Sequence, residues 1–290
     1  MKLAFFGTPA LTLPVLNALK EANMEPSLVI ASPDKPIGRK QIITSPPSIR
    51  WATEQNIATW QPESINELRT EDTPLTNFSW DIFVVFAYGI IIPKKIINLP
   101  KYKTLNVHPS LLPKLRGPSP VRTAILHDIN PTGVTIMLLD EHMDHGPILS
   151  QAEHKTPTKS WPPTADKLEQ DLVNIGAELL VQTINSWTQD GITPKNQEHE
   201  KATFSRKIRK HDAEISLDPF ELPKDKIAYE ALRKIKAYST WPESFFIYKN
   251  KKVKIKNAYI TQKNELIIER VLPEGKNEMD FSVYLQSISN

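Results

Sequence analysis

Short apolar runs of strand length, separated by helical patterns, are the feature that most limits how this chain can fold. A nearly continuous apolar run suits a central parallel strand that is covered on both faces of a sheet. Such runs occur at 2–8, 27–31, 81–88, 104–108 and 133–140. Helical patterns alternate with them at 10–21, 93–98, 118–127 and 168–187. The alternation predicts an α/β fold with a doubly wound, mostly parallel sheet.

The length and the change of texture along the chain predict two domains. A chain of 290 residues exceeds the size at which a single core usually stops growing. The predicted first domain covers 1–189, a polar and basic linker covers 190–208, and a smaller β-rich domain covers 209–290. In that last part, 245–248 and 253–260 alternate like half-exposed antiparallel strands, whereas the proline-rich stretch 32–47 has no apolar period and is expected to be a loop.

Composition removes several classes of function. The chain has no cysteine, so disulfides, thiolate metal ligands and a cysteine nucleophile are excluded. No run approaches the ~20 apolar residues of a membrane span, and Gly7, Pro9 and Pro14 interrupt the apolar start, so a cytoplasmic protein that does not enter membranes is expected. Residues 201–260 carry 15 Lys or Arg against 7 Asp or Glu, a net +8, while the rest carries −5. This basic segment is a candidate phosphate-binding surface.

Polar residues at two predicted strand ends form a candidate acid/base centre. Asn106 and His108 lie two residues apart and therefore project from the same face of their strand. In open α/β sheets the ligand crevice lies at the carboxyl ends of the strands, where Asp144 would reach His108. A carboxylate beside an imidazole stabilises the imidazolium form. A metal site at His142, Asp144 and His145 stays open as an alternative, although the familiar zinc spacings are missing.

Dinucleotide binding is a further alternative that the first strand suggests. Gly7 and Thr8 follow that strand, as a nucleotide-binding turn would. The three-glycine fingerprint is missing, and a nicotinamide cofactor is therefore disfavoured.

Two longer motifs resemble a known family. The segment NVHPSLLPKLRGPSPV, 106–121, closely resembles the folate-binding and catalytic segment of the 10-formyltetrahydrofolate-dependent formyltransferases. TGVTIMLLDEHMDHGPIL, 132–149, is similar to the second catalytic segment of that family. FFGTP, SPDKPIGRK and VVFAYGIIIP, at 5–9, 32–40 and 84–93, are similar to stretches of the members that act on methionyl-tRNA.

The resemblance implies a formyltransferase domain with a Rossmann-like sheet, followed by a barrel-like domain that binds tRNA. YSTWP at 238–242 and VLPEGKNEM at 271–279 resemble that second domain, and the short TQKNE spacer between them implies that it is shortened. The implied catalytic residues are Asn106, His108 and Asp144. The implied folate-binding residues are Phe86, Tyr88, Gly89, Ser110, Leu111, Leu112 and Pro113. The implied substrate or tRNA-binding residues are Gly7, Thr8, Lys35, Arg39, Lys40, Arg206, Lys207 and Arg209.

The implied reaction moves the formyl group of 10-formyltetrahydrofolate to the amine of initiator methionyl-tRNA, without a metal. Asn106 and protonated His108 are expected to donate hydrogen bonds to the oxyanion, and Asp144 to keep His108 charged and help to take the amine proton. A monomer is expected. Three alternatives stay open: a formyltransferase for amino sugar nucleotides, an RNA-binding protein without catalysis, and a metal-dependent hydrolase.

Overall fold

The computed structural model describes residues 1–38 and 40–289, which form two compact units. The first unit consists of Met1–Arg116, Gly133–His154 and Gln170–Phe204. The second consists of Gly117–Thr132, Lys155–Glu169 and the chain from Ser205 onward. Each unit is therefore assembled from three separate stretches of sequence. The predicted catalytic domain at 1–189, linker at 190–208 and tRNA-binding domain at 209–290 stay a prediction.

Thirteen strands and eight α-helices lie in the described residues. The strands are β1 (Leu3–Phe6), β2 (Leu28–Ile30), β3 (Lys35–Ile37), β4 (Ile42–Thr44), β5 (Ala58–Trp60), β6 (Ile82–Val85), β7 (Thr104–His108), β8 (Thr132–Leu138), β9 (Ile148–His154), β10 (Phe245–Tyr248), β11 (Lys251–Ile260), β12 (Leu266–Pro273) and β13 (Met279–Asp280). The helices are α1 (Leu13–Glu21), α2 (Pro47–Glu54), α3 (Ile65–Arg69), α4 (Lys94–Ile97), α5 (Pro120–Leu126), α6 (Ala165–Trp187), α7 (Asp225–Ala237) and α8 (Phe281–Ser289).

The first unit is built on a seven-stranded sheet with the order β5-β2-β1-β6-β7-β8-β9. The five neighbouring strands β5, β2, β1, β6 and β7 run parallel, which confirms the predicted mostly parallel α/β sheet. β8, however, pairs with β7 in the antiparallel direction, so its assignment as a central parallel strand was wrong. An apolar run reports burial on both faces of a sheet and carries no information about strand direction.

One face of the central strand β7 is covered by the long helix α6. A Cβ atom built on Gly176 of α6 would lie 3.1 Å from methyl carbons of Val107 in β7 and of Val134 in β8. The helix backbone therefore packs closely on the sheet, and a larger side chain at this position would have to displace these methyl groups. Because side chains alternate along a strand, Asn106 and His108 project from the opposite face.

The proline-rich stretch predicted to be a loop contains the two-stranded antiparallel hairpin β3-β4. Its three strand isoleucines, Ile37, Ile42 and Ile43, are more than half exposed. A hairpin held by its own backbone hydrogen bonds needs no buried face, and so the sequence showed no apolar period there.

The second unit contains the antiparallel sheet β10-β11-β12-β13, which confirms a β-rich C-terminal part. Apolar residues of this sheet share a core with α7, including Phe246, Val253, Leu232 and Ile235. The TQKNE spacer is a tight turn between β11 and β12, in which the Thr261 amide donates to the Glu265 carbonyl. In residues 1–38 and 40–289, no helix has the length and apolar character required to cross a membrane.

The contact between β8 and β9 predicts that Gly133 tolerates no side chain. A Cβ at this position would lie 2.3 Å from the carbonyl oxygen of Ala152 and 2.6 Å from Leu111 Cδ2. We expect Gly133→Ala to lower the free energy of unfolding by about 1–3 kcal/mol, as overpacking does in other cores. Urea denaturation measures the change. Gly191→Ala, whose Cβ would meet no backbone atom closer than 3.1 Å, is the control, and equal stability losses in the two variants would contradict the account.

Candidate active site

Asn106 and His108 project from the same face of β7, at its carboxyl end. Asn106 pairs with Val85 of β6 and Met137 of β8, and His108 pairs with Thr135 of β8. Both side chains are largely buried, with 9% and 4% of their residue surface exposed. The structure thus places the predicted pair in the middle of the sheet, where neighbouring strands limit its movement.

The orientation of the His108 ring is fixed by a backbone carbonyl. Nε2 lies 3.0 Å from the carbonyl oxygen of Leu115 in a buried hydrogen bond. Because a carbonyl oxygen only accepts, Nε2 must carry the hydrogen and donate it. Nδ1 is then the ring atom left for acid/base chemistry, and it lies 3.6 Å from Oδ1 of Asp144. The side chains of His108 and Asp144 are only 5% and 14% exposed, so little water screens this pair.

Asp144 occupies an uncommon backbone conformation. Its φ angle is +50°, in the left-handed region that aspartate tolerates better than most residues. The carbonyl oxygens of Asp144 and Gly146 both accept hydrogen bonds from Nε2 of Gln197, at 3.0 and 2.7 Å. This amide holds the turn that carries the carboxylate.

The Asn106 amide is available to a ligand. Within the described residues, no hydrogen bond joins this side chain to another protein group. A mostly buried amide without a protein partner is costly unless a ligand or solvent supplies one. It offers a hydrogen-bond donor on the face of β7 from which His108 also projects.

The loop that follows β7 is held by hydroxyl and amide groups of β8 and β9. Thr135 Oγ1 donates to the Ser110 carbonyl at 2.6 Å and accepts from the Leu112 amide at 3.1 Å. Gln151 Nε2 donates to the Leu112 carbonyl and to Thr135 Oγ1, both at 2.9 Å. The Ser110 hydroxyl donates to the Lys114 carbonyl at 2.7 Å. The predicted folate-binding segment, which also contains Leu111 and Pro113, is therefore rigid.

The ends of β1 and β6 bring together the predicted residues Gly7, Thr8, Phe86 and Tyr88. Thr8 donates its amide to the Ala87 carbonyl and its hydroxyl to the Tyr88 carbonyl, both at 3.4 Å. A Cβ on Gly7 would lie 2.6 Å from the Phe86 carbonyl oxygen, so this approach requires glycine.

Side chains at the end of β6 differ in what they offer a ligand. The Tyr88 ring packs edge-on against Phe6, and burial raises the pKa of its hydroxyl to about 12. Phe86 is also buried, whereas Gly89, with φ +80°, is exposed. Tyr88 is only 3% exposed, so its ring belongs to the core and offers a ligand little surface.

Histidines near Asp144 make pairs instead of a metal cage. His145 Nδ1 lies 2.6 Å from Asp140 Oδ2, and the ring stacks on His199 at 4.0 Å between centroids. Partial desolvation in this stack, together with the charges of His145 and Arg116, lowers the pKa of His199. In the part of the chain that the structure describes, no three His, Asp or Glu side chains are grouped to hold a metal ion. His142 contacts the edge of the His145 ring.

Most of the predicted tRNA-binding residues are exposed, but Arg206 already has a partner. Lys35 is the first residue of β3 and Lys40 lies between β3 and β4 in the sequence. Both are exposed, whereas Arg39 lies outside the described residues. In the second unit Lys207 and Arg209 are exposed. Arg206 makes two 2.7 Å hydrogen bonds to Asp212, and this guanidinium lowers the Asp212 pKa to about 2. Its charge is therefore neutralised locally.

Sequence reasoning missed three polar residues of the site: Thr135, Gln151 and Gln197. Thr135 sits inside an apolar run, and that interruption was the available signal. Gln151 lies on β9, a strand whose alternating burial was not predicted. Gln197 lies in the stretch assigned to a polar linker, where a glutamine gives no signal of its own.

Comparison with known sequences identifies relatives over most of the chain. The sequence profile of the formyl transferase family matches residues 1–184. A methionyl-tRNA formyltransferase of Chloroflexus aurantiacus is 37% identical over 262 residues, which cover 90% of this chain and 80% of the relative. One from Sulfurihydrogenibium is 37% identical over 265 residues, which cover 91% and 82%.

Solved structures share the fold at low sequence identity. A methionyl-tRNA formyltransferase from Clostridium thermocellum has a TM-score of 0.62 and 17% identity, with 94% of this chain and 98% of that chain covered. An N-formyltransferase from Helicobacter canadensis, in complex with folinic acid and dTDP-3-aminofucose, has a TM-score of 0.63 and 17% identity, with 90% and 88% covered. The profile match and the relatives that are 37% identical show that the chain belongs to the methionyl-tRNA formyltransferase family.

Proposed function

We propose that the protein transfers the formyl group of 10-formyltetrahydrofolate to the amino group of initiator methionyl-tRNA. The observation that carries this proposal is the His108–Asp144 pair beside the unpartnered Asn106 amide, in a chain related to methionyl-tRNA formyltransferases over about nine-tenths of its length. We further propose that it acts as a cytoplasmic monomer that binds tRNA and folate and no membrane.

The reaction needs an oxyanion donor and a route for one proton. The amine nitrogen bonds to the formyl carbon, the bond from that carbon to the folate nitrogen breaks, and one proton moves from the amine to the folate nitrogen. Asn106 donates its amide hydrogen to the oxyanion that forms between these steps. No oxidant, reductant or covalent enzyme intermediate is required.

The fixed ring of His108 decides which of its atoms takes part. Nε2–H is committed to the Leu115 carbonyl, so protonated His108 has only its Nδ1–H to offer the oxyanion or the leaving nitrogen. Asp144, 3.6 Å from Nδ1, stabilises the charged ring and accepts the proton of the incoming amine. This refines the expectation from sequence, which left both ring nitrogens available.

The folate lies along the loop from Ser110 to Pro113 and the end of β6 near Gly89. The backbone groups of that loop are fixed by Thr135 and Gln151, so a flat pterin meets a preformed edge. The buried Phe86 and Tyr88 rings support this edge from within the core.

Comparing two acceptors tests the proposed substrate. With 10-formyltetrahydrofolate as donor, we expect the purified protein to formylate charged initiator methionyl-tRNA at least ~100-fold faster than a dTDP-linked amino sugar. Discrimination of this size is usual when a site makes polar contacts to one substrate that it cannot make to the other. Acid gel electrophoresis of the tRNA and chromatography of the sugar measure the two products. A faster reaction with the sugar would favour the rival acceptor, and no formylated product with either would contradict formyl transfer.

Removal of the proposed oxyanion donor tests the catalytic assignment. We expect Asn106→Ala to lower kcat by about 10²- to 10³-fold, the usual cost of losing one such donor. Asn98→Ala, which removes an exposed amide bonded to the Lys94 carbonyl at the end of α4, is the matched control and should retain activity. Single-turnover formylation at saturating substrates measures both. Near-normal turnover by Asn106→Ala would remove Asn106 from the mechanism.

The salt dependence of tRNA binding tests whether basic side chains contact the tRNA phosphates. Each phosphate contact contributes about −0.9 to the slope of log K against log salt on a duplex. We expect Lys207→Ala and Arg209→Ala each to reduce that slope by about 1. Arg206→Ala should change it less, since Arg206 is already paired with Asp212. Filter binding across a salt series measures the slope, with Lys20→Ala on α1 as control, and identical slopes for all variants would contradict the proposal.

A further inference from the structure

Gln197 is a buried side chain that links two parts of the candidate active site. Only 5% of its surface is exposed. Its Oε1 accepts from Nε and Nη2 of Arg116, at 3.0 and 2.6 Å. Its Nε2 donates to the carbonyls of Asp144 and Gly146, at 3.0 and 2.7 Å. All four of the hydrogen bonds that a glutamine amide commonly makes are therefore used.

The direction of this amide follows from the chemistry of its neighbours. A guanidinium only donates, so the atom that faces Arg116 must be the oxygen. The two carbonyls on the other side only accept, so they require the NH2 group. If the amide oxygen and nitrogen were exchanged, the NH2 group would face the guanidinium donors and the oxygen would face two carbonyl oxygens. Only one orientation of the Gln197 amide is therefore compatible with its neighbours.

The groups joined by Gln197 surround the His108–Asp144 pair from both sides. Arg116 directly follows Leu115, whose carbonyl holds Nε2 of His108. Asp144 carries the carboxylate that faces Nδ1 of the same ring. One side chain thus connects the guanidinium of Arg116, the residue next to Leu115, with the backbone that presents the Asp144 carboxylate.

The segment that carries Gln197 is itself anchored on both sides. Lys195 exchanges two backbone hydrogen bonds with Ile148, at 2.8 and 2.9 Å. Thr203 accepts the Arg116 amide on its carbonyl and the Leu115 amide on its hydroxyl, both at 2.9 Å. Because both ends of the segment are held, the Gln197 side chain can keep the turn at Asp144 in place and does not move with it.

We propose that Gln197 is a positioning residue for formyl transfer, which holds the turn at Asp144 so that its carboxylate faces Nδ1 of His108. Asp144 has a φ angle of +50°, a conformation that persists when surrounding bonds determine it. Without the two bonds from Gln197, the turn relaxes and the carboxylate moves away from the ring. The role in catalysis rests on the proposed function, whereas the role in placing the carboxylate does not.

A purely structural role would give Gln197 only the task of partnering the buried Arg116. Gln197→Glu separates the two roles, because a carboxylate still accepts from the guanidinium but, when ionised, donates nothing to the carbonyls of Asp144 and Gly146. Gln197→Asn keeps both amide groups on a shorter arm and is expected to give an intermediate effect.

The experiment measures kcat, KM and the ¹⁵N chemical shifts of the His108 ring in the full-length protein. We expect Gln197→Glu to lower kcat by about 10- to 100-fold, in the range of a ~1 Å misplacement of a catalytic group, with KM values changed less than about 3-fold. The Nδ1 signal of His108 should shift, since its carboxylate partner has moved. Thr183→Val, which removes a buried hydroxyl that bonds Ser150 and Leu179, controls for a general loss of stability and should change neither readout.

Each outcome has a definite meaning. A normal kcat in Gln197→Glu, or a reduced kcat with an unchanged His108 spectrum, overturns the proposal. If the wild-type protein formylates neither acceptor, the proposed function fails, and the His108 spectrum of the variants still shows whether Gln197 holds the carboxylate. If Gln197→Glu does not fold, Gln197→Asn carries the same test, with a smaller expected loss.

Discussion

The hydrogen bond from His108 Nε2 to the Leu115 carbonyl is the constraint on which the site depends. The bond, 3.0 Å between Nε2 and the carbonyl oxygen, orients the ring and requires the hydrogen on Nε2. It thereby leaves Nδ1 for the chemistry. Asp144 acts on the ring through that atom, since its Oδ1 lies 3.6 Å from Nδ1. The proposed roles of Asn106, His108 and Asp144 in proton transfer and oxyanion stabilisation follow from this one orientation.

The surroundings of this bond are polar, buried and paired, which makes the site rigid. Thr135 and Gln151 hold the loop after β7, and Gln197 holds the turn at Asp144. A buried polar network specifies one geometry when each member is satisfied, because any shift leaves costly unpaired groups. The sheet supplies the other support, since α6 covers the face of β7 opposite the reactive side chains.

The sequence predicted the apolar strands and the main catalytic residues for simple reasons. Burial on both faces marks β1, β6 and β7, and side-chain alternation places Asn106 and His108 together. The same signal failed for the direction of β8, because burial does not encode direction. It also failed for the β3-β4 hairpin, which has no buried face. Gln197 and Gln151 escaped notice because their roles come from contacts distant in sequence, which no local pattern contains.

A double-mutant cycle on His108 and Asp144 distinguishes joint action of the two side chains from independent action. If Asp144 acts through Nδ1 of His108, His108→Asn and Asp144→Asn each lower kcat/KM strongly, and the double variant is no more than about 3-fold slower than the slower single variant, because residues that act as a unit are not additive. If the two losses multiply in the double variant, the residues act independently, and the account of a single acid/base pair is wrong.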